Sequence, residues 1–383
     1  MECLLAAGEK RRLNASAGNS LDQLQKFILE KRCWLFGHLG YDLKNEIEKL
    51  SSSNADGVQF PDLFFFEPEV VIRITEKEMV IEAADPDAVF EDLSNTTALT
   101  NSLPAGLVHI RNRLSKPEYI TIINELKKHI LRGDCYEINF CQEFFAENTT
   151  IDPLVVYQQL CVISPNPFSA LYRINDHWLI CASPERFLKK QGNRILSQPI
   201  KGTSRRVLNN SEQDKKNKLE LTHSAKDRSE NVMVVDLVRN DLAKICEEGT
   251  VKVDELFGIY SFPQVHQMIS TVSGELKKDS SFTDIIKATF PMGSMTGAPK
   301  KKVMALIEEY EQTKRGIFSG AVGYISPQGD FDFNVVIRSI MYNALSGYLS
   351  LQAGSAITFH SDAEKEWEEC VLKVTALMNV LRQ

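Results

Sequence analysis

Glu137-Ile138-Asn139-Phe140-Cys141-Gln142-Glu143-Phe144-Phe145 reads as a β-strand, and what surrounds it decides the fold class. Before it, Pro117–Leu131 has the pattern of an amphipathic helix closed by Gly133. After it come more strand-like runs, at Phe168–Ile174, Trp178–Cys181 and Arg186–Lys190. Helices form a later run. One spans about Lys226–Cys246, with an apolar middle from Val232 to Val238 that reads as buried on all sides. A second opens at Thr296-Gly297-Ala298-Pro299 and closes at Lys314-Arg315-Gly316. A third runs from Ala363 to the end, with Trp367, Val371, Val374, Met378 and Leu381 as its core stripe. Strands and helices in separate runs, rather than in strict βαβ alternation, indicate an α+β fold.

Upstream, a helix is expected near Leu21–Arg32 and strands at Val70–Ile74 and Met79–Glu82. Asp85 to Pro104, rich in Asp, Ser, Asn and Thr, is the best linker candidate. The chain has 383 residues, 43% hydrophobic and 25% charged, enough for a sizeable core in one large or two ordinary domains. Its net charge of −7 argues against nucleic acid or an anionic membrane as partner. Neither a signal peptide nor an apolar run of ~18 residues is readable. The eight cysteines form no C-x-x-C pair, so zinc and a redox dithiol are not expected. Buried free thiols in a reducing cytoplasm are.

Several side chains have the right types and spacing for chemistry. Asp227 and Glu230 share one face of the first late helix, where burial would demand a partner or a metal. Glu366, Glu369 and Lys373 share a face of the last helix, although Glu369 and Lys373 also suit an ordinary surface pair. Two acidic pairs on two helices are compatible with Mg²⁺, which takes oxygen ligands. The turn at Thr296–Lys300 suits either an anion site or a plain helix cap. Gly354-Ser355-Ala356 either admits a ligand close to the backbone or makes a tight bend. Arg338, placed in a strand Phe333–Met341, suits a carboxylate clamp or a structural ion pair. His266 alone is more often a satisfied polar residue than a catalyst. Lys201, at a strand-to-turn junction, needs to lose its proton before it can act as a nucleophile.

In combination these segments resemble the chorismate-utilising enzymes. The resemblance rests on Arg132-Gly133-Asp134, Ser183-Pro184-Glu185-Arg186-Phe187, Pro199-Ile200-Lys201-Gly202-Thr203 and Glu230-Asn231. It continues through Val235-Asp236-Leu237-Val238-Arg239-Asn240-Asp241-Leu242, Gly293 to Lys300, Gly320 to Tyr324, and Ser361-Asp362. It implies two antiparallel sheets packed face to face with helices outside. Residues 1–110 resemble the smaller N-terminal region of synthase large subunits, and 111–383 the chorismate-binding catalytic domain, packed as one unit. It implies Mg²⁺ held mainly by Glu230 and Glu369, with Asp227 and Glu366 in support. Asp227 stands where the family usually has the longer Glu. Substrate contacts fall to Gly202, Thr203, Phe318, Arg338, Gly354, Ser355 and Lys373, and His266 lies beside the reacting ring carbon.

Lysine at position 201, where anthranilate and isochorismate synthases typically carry alanine, resembles the aminodeoxychorismate-forming branch. That implies amination of chorismate at C4 through a covalent Lys201 intermediate, towards 4-aminobenzoate and folate. Ammonia is then expected from a separate glutamine amidotransferase subunit. Anthranilate or isochorismate synthesis, and a non-catalytic binding subunit, are the competing expectations.

Overall fold

The computed structural model describes residues 3–96 and 108–382. Their strands form sheets of three, seven and ten strands, and every pairing within them is antiparallel. The ten-stranded sheet starts at Ile200–Arg205 and passes through Val265–Glu275, Arg194–Gln198, Arg186–Gln191, Phe331–Asn334 and Ala321–Ile325. It continues without a break into Leu35–Leu39, Leu63–Glu67 and Arg11–Ala15. The N-terminal region thus completes the sheet that carries Lys201. The small sheet is made by Cys3–Ala7, Val70–Ile74 and Met79–Glu82.

The opening strand, which spans Glu137–Ala146, pairs with Tyr348–Ile357 in the seven-stranded sheet. All ten of its residues are buried because both faces are covered. Cys141 enters the core between the two large sheets, beside Leu179, Phe187, Phe333 and Met341. Ile138 and Phe140, on the opposite face, pack under Lys116–Leu131 through Tyr119, Ile123 and Leu126. Phe144 packs with Cys370, Val374 and Leu377 of the last helix. Two packed antiparallel sheets with helices outside are therefore what the chain forms.

Five local expectations are corrected. The linker candidate begins with a helix, Pro86–Asn95, because Asp85 caps it and Pro86 fits its first turn; residues 97–104 lie outside those described. The second late helix covers only Lys300–Tyr310, since Gly297-Ala298 pairs with Glu137-Ile138 and is held as strand. That pairing leaves no anion-binding helix end at Thr296. Arg315 is no basic last turn either: it is buried against Glu311 at 2.6 Å and donates to the carbonyls of Met295 and Asn139.

The run Phe333–Met341 is two strands in two sheets, Phe331–Asn334 and Ser339–Asn343. Its apolar Val335 and Val336 are fully buried in the crossover, a pattern that looks like a strand without being one. Finally, the two acidic helices bury polar side chains that their apolar patterns did not mark. In Ala225–Ile245, Val232 is exposed while Glu230 and Asn231 are buried. In Ala363–Val380 the expected stripe does pack on the core, with Val374 and Leu381 buried and Val371, Met378 and Trp367 partly buried, and the buried face extends to Glu366, Cys370, Leu377 and Val380. Trp367 packs against Tyr119.

Candidate active site

Ile200–Arg205 reaches the acidic helix through an irregularity. Ile200 pairs with Ile269 and Thr203 with Gln267, so Lys201 and Gly202 together oppose one residue. Such a bulge re-aims a side chain. Gly202 makes it possible, with φ of +94° and an imagined Cβ only 2.9 Å from the Asp227 Cβ. Lys201 points inward as a result, with its side chain 10% exposed.

Its Nζ donates to Glu137 Oε1 at 2.9 Å. Burial by itself would lower the Lys201 pKa, but the carboxylates of Glu137, Glu230 and Glu185 outweigh it and hold the group above the ordinary lysine value. The neighbouring charge is negative, so at rest Lys201 is an ammonium. Burial pushes two of those acids up to about 7: Glu185, despite Lys201 nearby, and Glu230, despite Lys201 and Lys226. Near neutral pH each is a substantial reservoir of bound proton.

The two acidic helices meet around Lys226. Its Nζ lies 3.8 Å from Glu230 and 3.5 Å from Glu366. Glu369 completes the group through Lys373, at 2.6 Å, which holds it below the usual carboxylate value despite partial burial. Lys373 also donates to the carbonyl of Gly354 at 2.7 Å. Arg338, in the crossover with φ of +54°, donates to the carbonyl of Lys373 at 2.9 Å. That bond uses one of five guanidinium donors.

Other expected site residues are placed differently. Thr203 is exposed at the lip of this region. Ser355 is buried against the hydroxyl of Tyr119 at 3.3 Å, and Phe318 lies in the core between the sheets. Gly354 lies within a strand rather than a bend, and its imagined Cβ would strike Cys141 Sγ and the carbonyl of Phe140 on the paired strand. His266 has both ring nitrogens engaged, with Ser261 Oγ at 2.8 Å and Asp214 Oδ1 at 3.3 Å. No hydrogen bond or ion pair among the described residues joins Phe318 or His266 to Lys201 and the acids.

For a divalent cation, the donor chemistry fits. Glu230 Oε1 and Glu366 Oε2 are buried without hydrogen-bond partners. Unpartnered carboxylate oxygens in such a setting call for a cation. The Lys226 ammonium stands in for one. Among the described residues no three His, Cys, Asp or Glu side chains are already gathered for an ion.

These elements belong to a known architecture. The chain is a member of the chorismate binding enzyme family, whose profile matches residues 3–379. It is 35% identical over 357 residues to an anthranilate synthase component I-like protein of Synechocystis sp., covering 91% of this chain and 72% of that one. It is 34% identical over 349 residues to aminodeoxychorismate synthase component 1 of Salmonella typhimurium, covering 90% and 76%. The solved anthranilate synthase component I of Streptococcus pneumoniae superimposes with a TM-score of 0.87 at 26% identity, over 98% of this chain and 92% of that one. The chain is thus a chorismate-utilising enzyme.

Sequence reasoning assigned no role to Glu137, Glu185 or Lys226. Glu185 lay inside a motif quoted for the resemblance. Glu137 opened the strand that decided the fold class. Nothing in the linear order links either to Lys201; only the sheet crossing does.

Proposed function

We propose that the chain is an aminodeoxychorismate synthase component, replacing the C4 hydroxyl of chorismate with an amino group. The observation that carries this reading is Lys201 itself. It is an amine turned inward by a bulge and sealed among acids, where a solvated surface lysine would need neither. Anthranilate synthesis is the second reading, because two of the similar proteins bear that name.

In the proposed reaction Lys201 adds to C2 of the ring while the C4 hydroxyl leaves. A general acid supplies the proton that turns the hydroxyl into water, and Glu185, which burial pushes up to about 7, can hold such a proton near neutral pH. Ammonia then enters at C4 and the lysine is released, so two easier substitutions replace one hard one. Mg²⁺ fits Glu230 and Glu369, with Asp227 and Glu366 in support, and when bound would anchor the ring carboxylate. Arg338 and Lys373 supply positive charge for the substrate's carboxylates.

Ammonia would come from a glutamine amidotransferase partner, with free ammonium as a substitute, as a step towards 4-aminobenzoate and folate. Among the described residues no helix is long and apolar enough to cross a membrane, and all eight cysteines are free, which suits a reducing cytoplasm. Five of the eight thiols are buried, while Cys3 is exposed. The test is product analysis with chorismate, Mg²⁺ and ammonium. A 4-amino product that retains the pyruvyl group is expected; released pyruvate, or a hydroxyl moved without nitrogen entering, would overturn the assignment.

A further inference from the structure

An attacking Lys201 must be a neutral amine, yet the site holds it as an ammonium. Its proton needs a destination within reach. Glu137 Oε1 already takes the hydrogen bond from Nζ at 2.9 Å, and the pair is nearly sealed, with Glu137 1% and Lys201 10% exposed at the side chain. Glu137 Oε2 is buried with no hydrogen-bond partner, so the carboxylate has spare capacity. Glu230 also lies close enough to raise the Lys201 pKa, but the hydrogen bond from Nζ goes to Glu137, and Glu230 Oε1 has no hydrogen-bond partner.

Building on the C4-amination reading, we propose that Glu137 is the acid–base partner of Lys201, gripping its ammonium at rest and accepting its proton as the amine attacks. The exchange converts an ion pair into a neutral amine and a neutral carboxylic acid, which a site of low dielectric favours once water is excluded. The amine's lone pair forms the N–C2 bond, the two conjugated ring double bonds each move one position towards C4, and the C4–O bond breaks. The hydroxyl leaves as water with the proton of Glu185. When ammonia bonds to C4, the N–C2 electron pair returns to Lys201. Glu137 gives its proton back to that amine, and Glu185 recovers one from the new C4 ammonium. The sum is chorismate plus ammonia to the amino product plus water.

The test is E137Q, which preserves shape but cannot accept the proton. From about pH 5 to 7, before Glu185 gives up its acid proton, wild type should form product at a nearly flat rate, because the Lys201 proton stays within the pair. E137Q should be at least tenfold slower at pH 7 and should rise about tenfold per pH unit, because the proton must then leave to solvent. In parallel, trinitrobenzenesulfonate labelling of Lys201 in the full chain should titrate at lower pH in E137Q, by one unit or more. Glu137→Asp should keep part of the flat profile, which also covers the case in which E137Q folds poorly.

A purely structural role would lower the melting temperature and leave both profiles unchanged; that result would overturn the proposal. A wild-type chain that makes no 4-amino product would overturn the amination reading and the proton transfer built on it. An unchanged labelling titration in E137Q, with the amino product still formed, would overturn Glu137 alone.

Discussion

Replacing Lys201 with Met keeps much of the side-chain volume and removes its charge, leaving Glu137 buried without its ammonium. The stranded carboxylate escapes by binding a proton. Each pH unit above the ordinary Glu value of about 4.3 then costs about 1.4 kcal/mol. The penalty is therefore about 5 kcal/mol at pH 8 and about 1 kcal/mol at pH 5. The upper figure matches the loss of about 3–5 kcal/mol usual for breaking a buried pair. The sign is unambiguous: a carboxylate that binds protons more readily folded than unfolded loses stability as pH rises. Urea unfolding followed by circular dichroism at pH 5 and pH 8 measures the difference directly. K201M/E137Q, which removes both charges, should recover most of the pH 8 deficit. A K201M deficit equal at the two pH values, or a double variant no more stable than K201M, would refute the account of a sealed ion pair.

Three further outcomes follow from the same geometry. Glu185→Gln should raise stability at pH 8 by up to about 3 kcal/mol and change little at pH 4. Its carboxyl is pushed from 4.5 to about 7 by burial, so the wild type loses stability as pH climbs through that window, as urea midpoints will register. Arg315→Met should cost about 3–5 kcal/mol in the same assay, because it strands the buried Glu311 and the carbonyls of Met295 and Asn139. Mg²⁺ at a hundredfold excess over its dissociation constant should stabilise wild type by about 2.7 kcal/mol, read as a raised melting temperature, and should fail to do so in Glu230→Gln.

The strands and most helices were legible because local patterns dictate them. The strand-like run Glu137–Phe145, the amphipathic pattern of Pro117–Leu131 and the i, i+4 spacing along the last helix depend only on neighbours in sequence. Where those signals misled, a distant segment intervened. Gly297-Ala298 became strand because Glu137-Ile138 offered unpaired backbone groups, and the helix start shifted to Lys300. Arg315, basic and near a glycine, looked like a helix end until buried carbonyls claimed its donors. The apolar stripe of the last helix packs on the core as its spacing indicates, but hydrophobicity could not mark Glu366, which packing buried beside it.

The same division runs through the site. From the linear order came the acids at Asp227, Glu230, Glu366 and Glu369, the lysines at Lys201 and Lys373, and the α+β class, since residue types and short spacings carry that information. Only the tertiary structure decided what surrounds Lys201. A bulge turned it inward, two sheets closed over it, Glu137 arrived from a strand 64 residues away and Glu185 from a link between strands 16 residues away in the chain. Its charge state follows from those neighbours, because electrostatic energy depends on distance through space and on burial. The lysine that marked the chemistry was visible in the sequence; the acids that hold its proton became visible only in the fold.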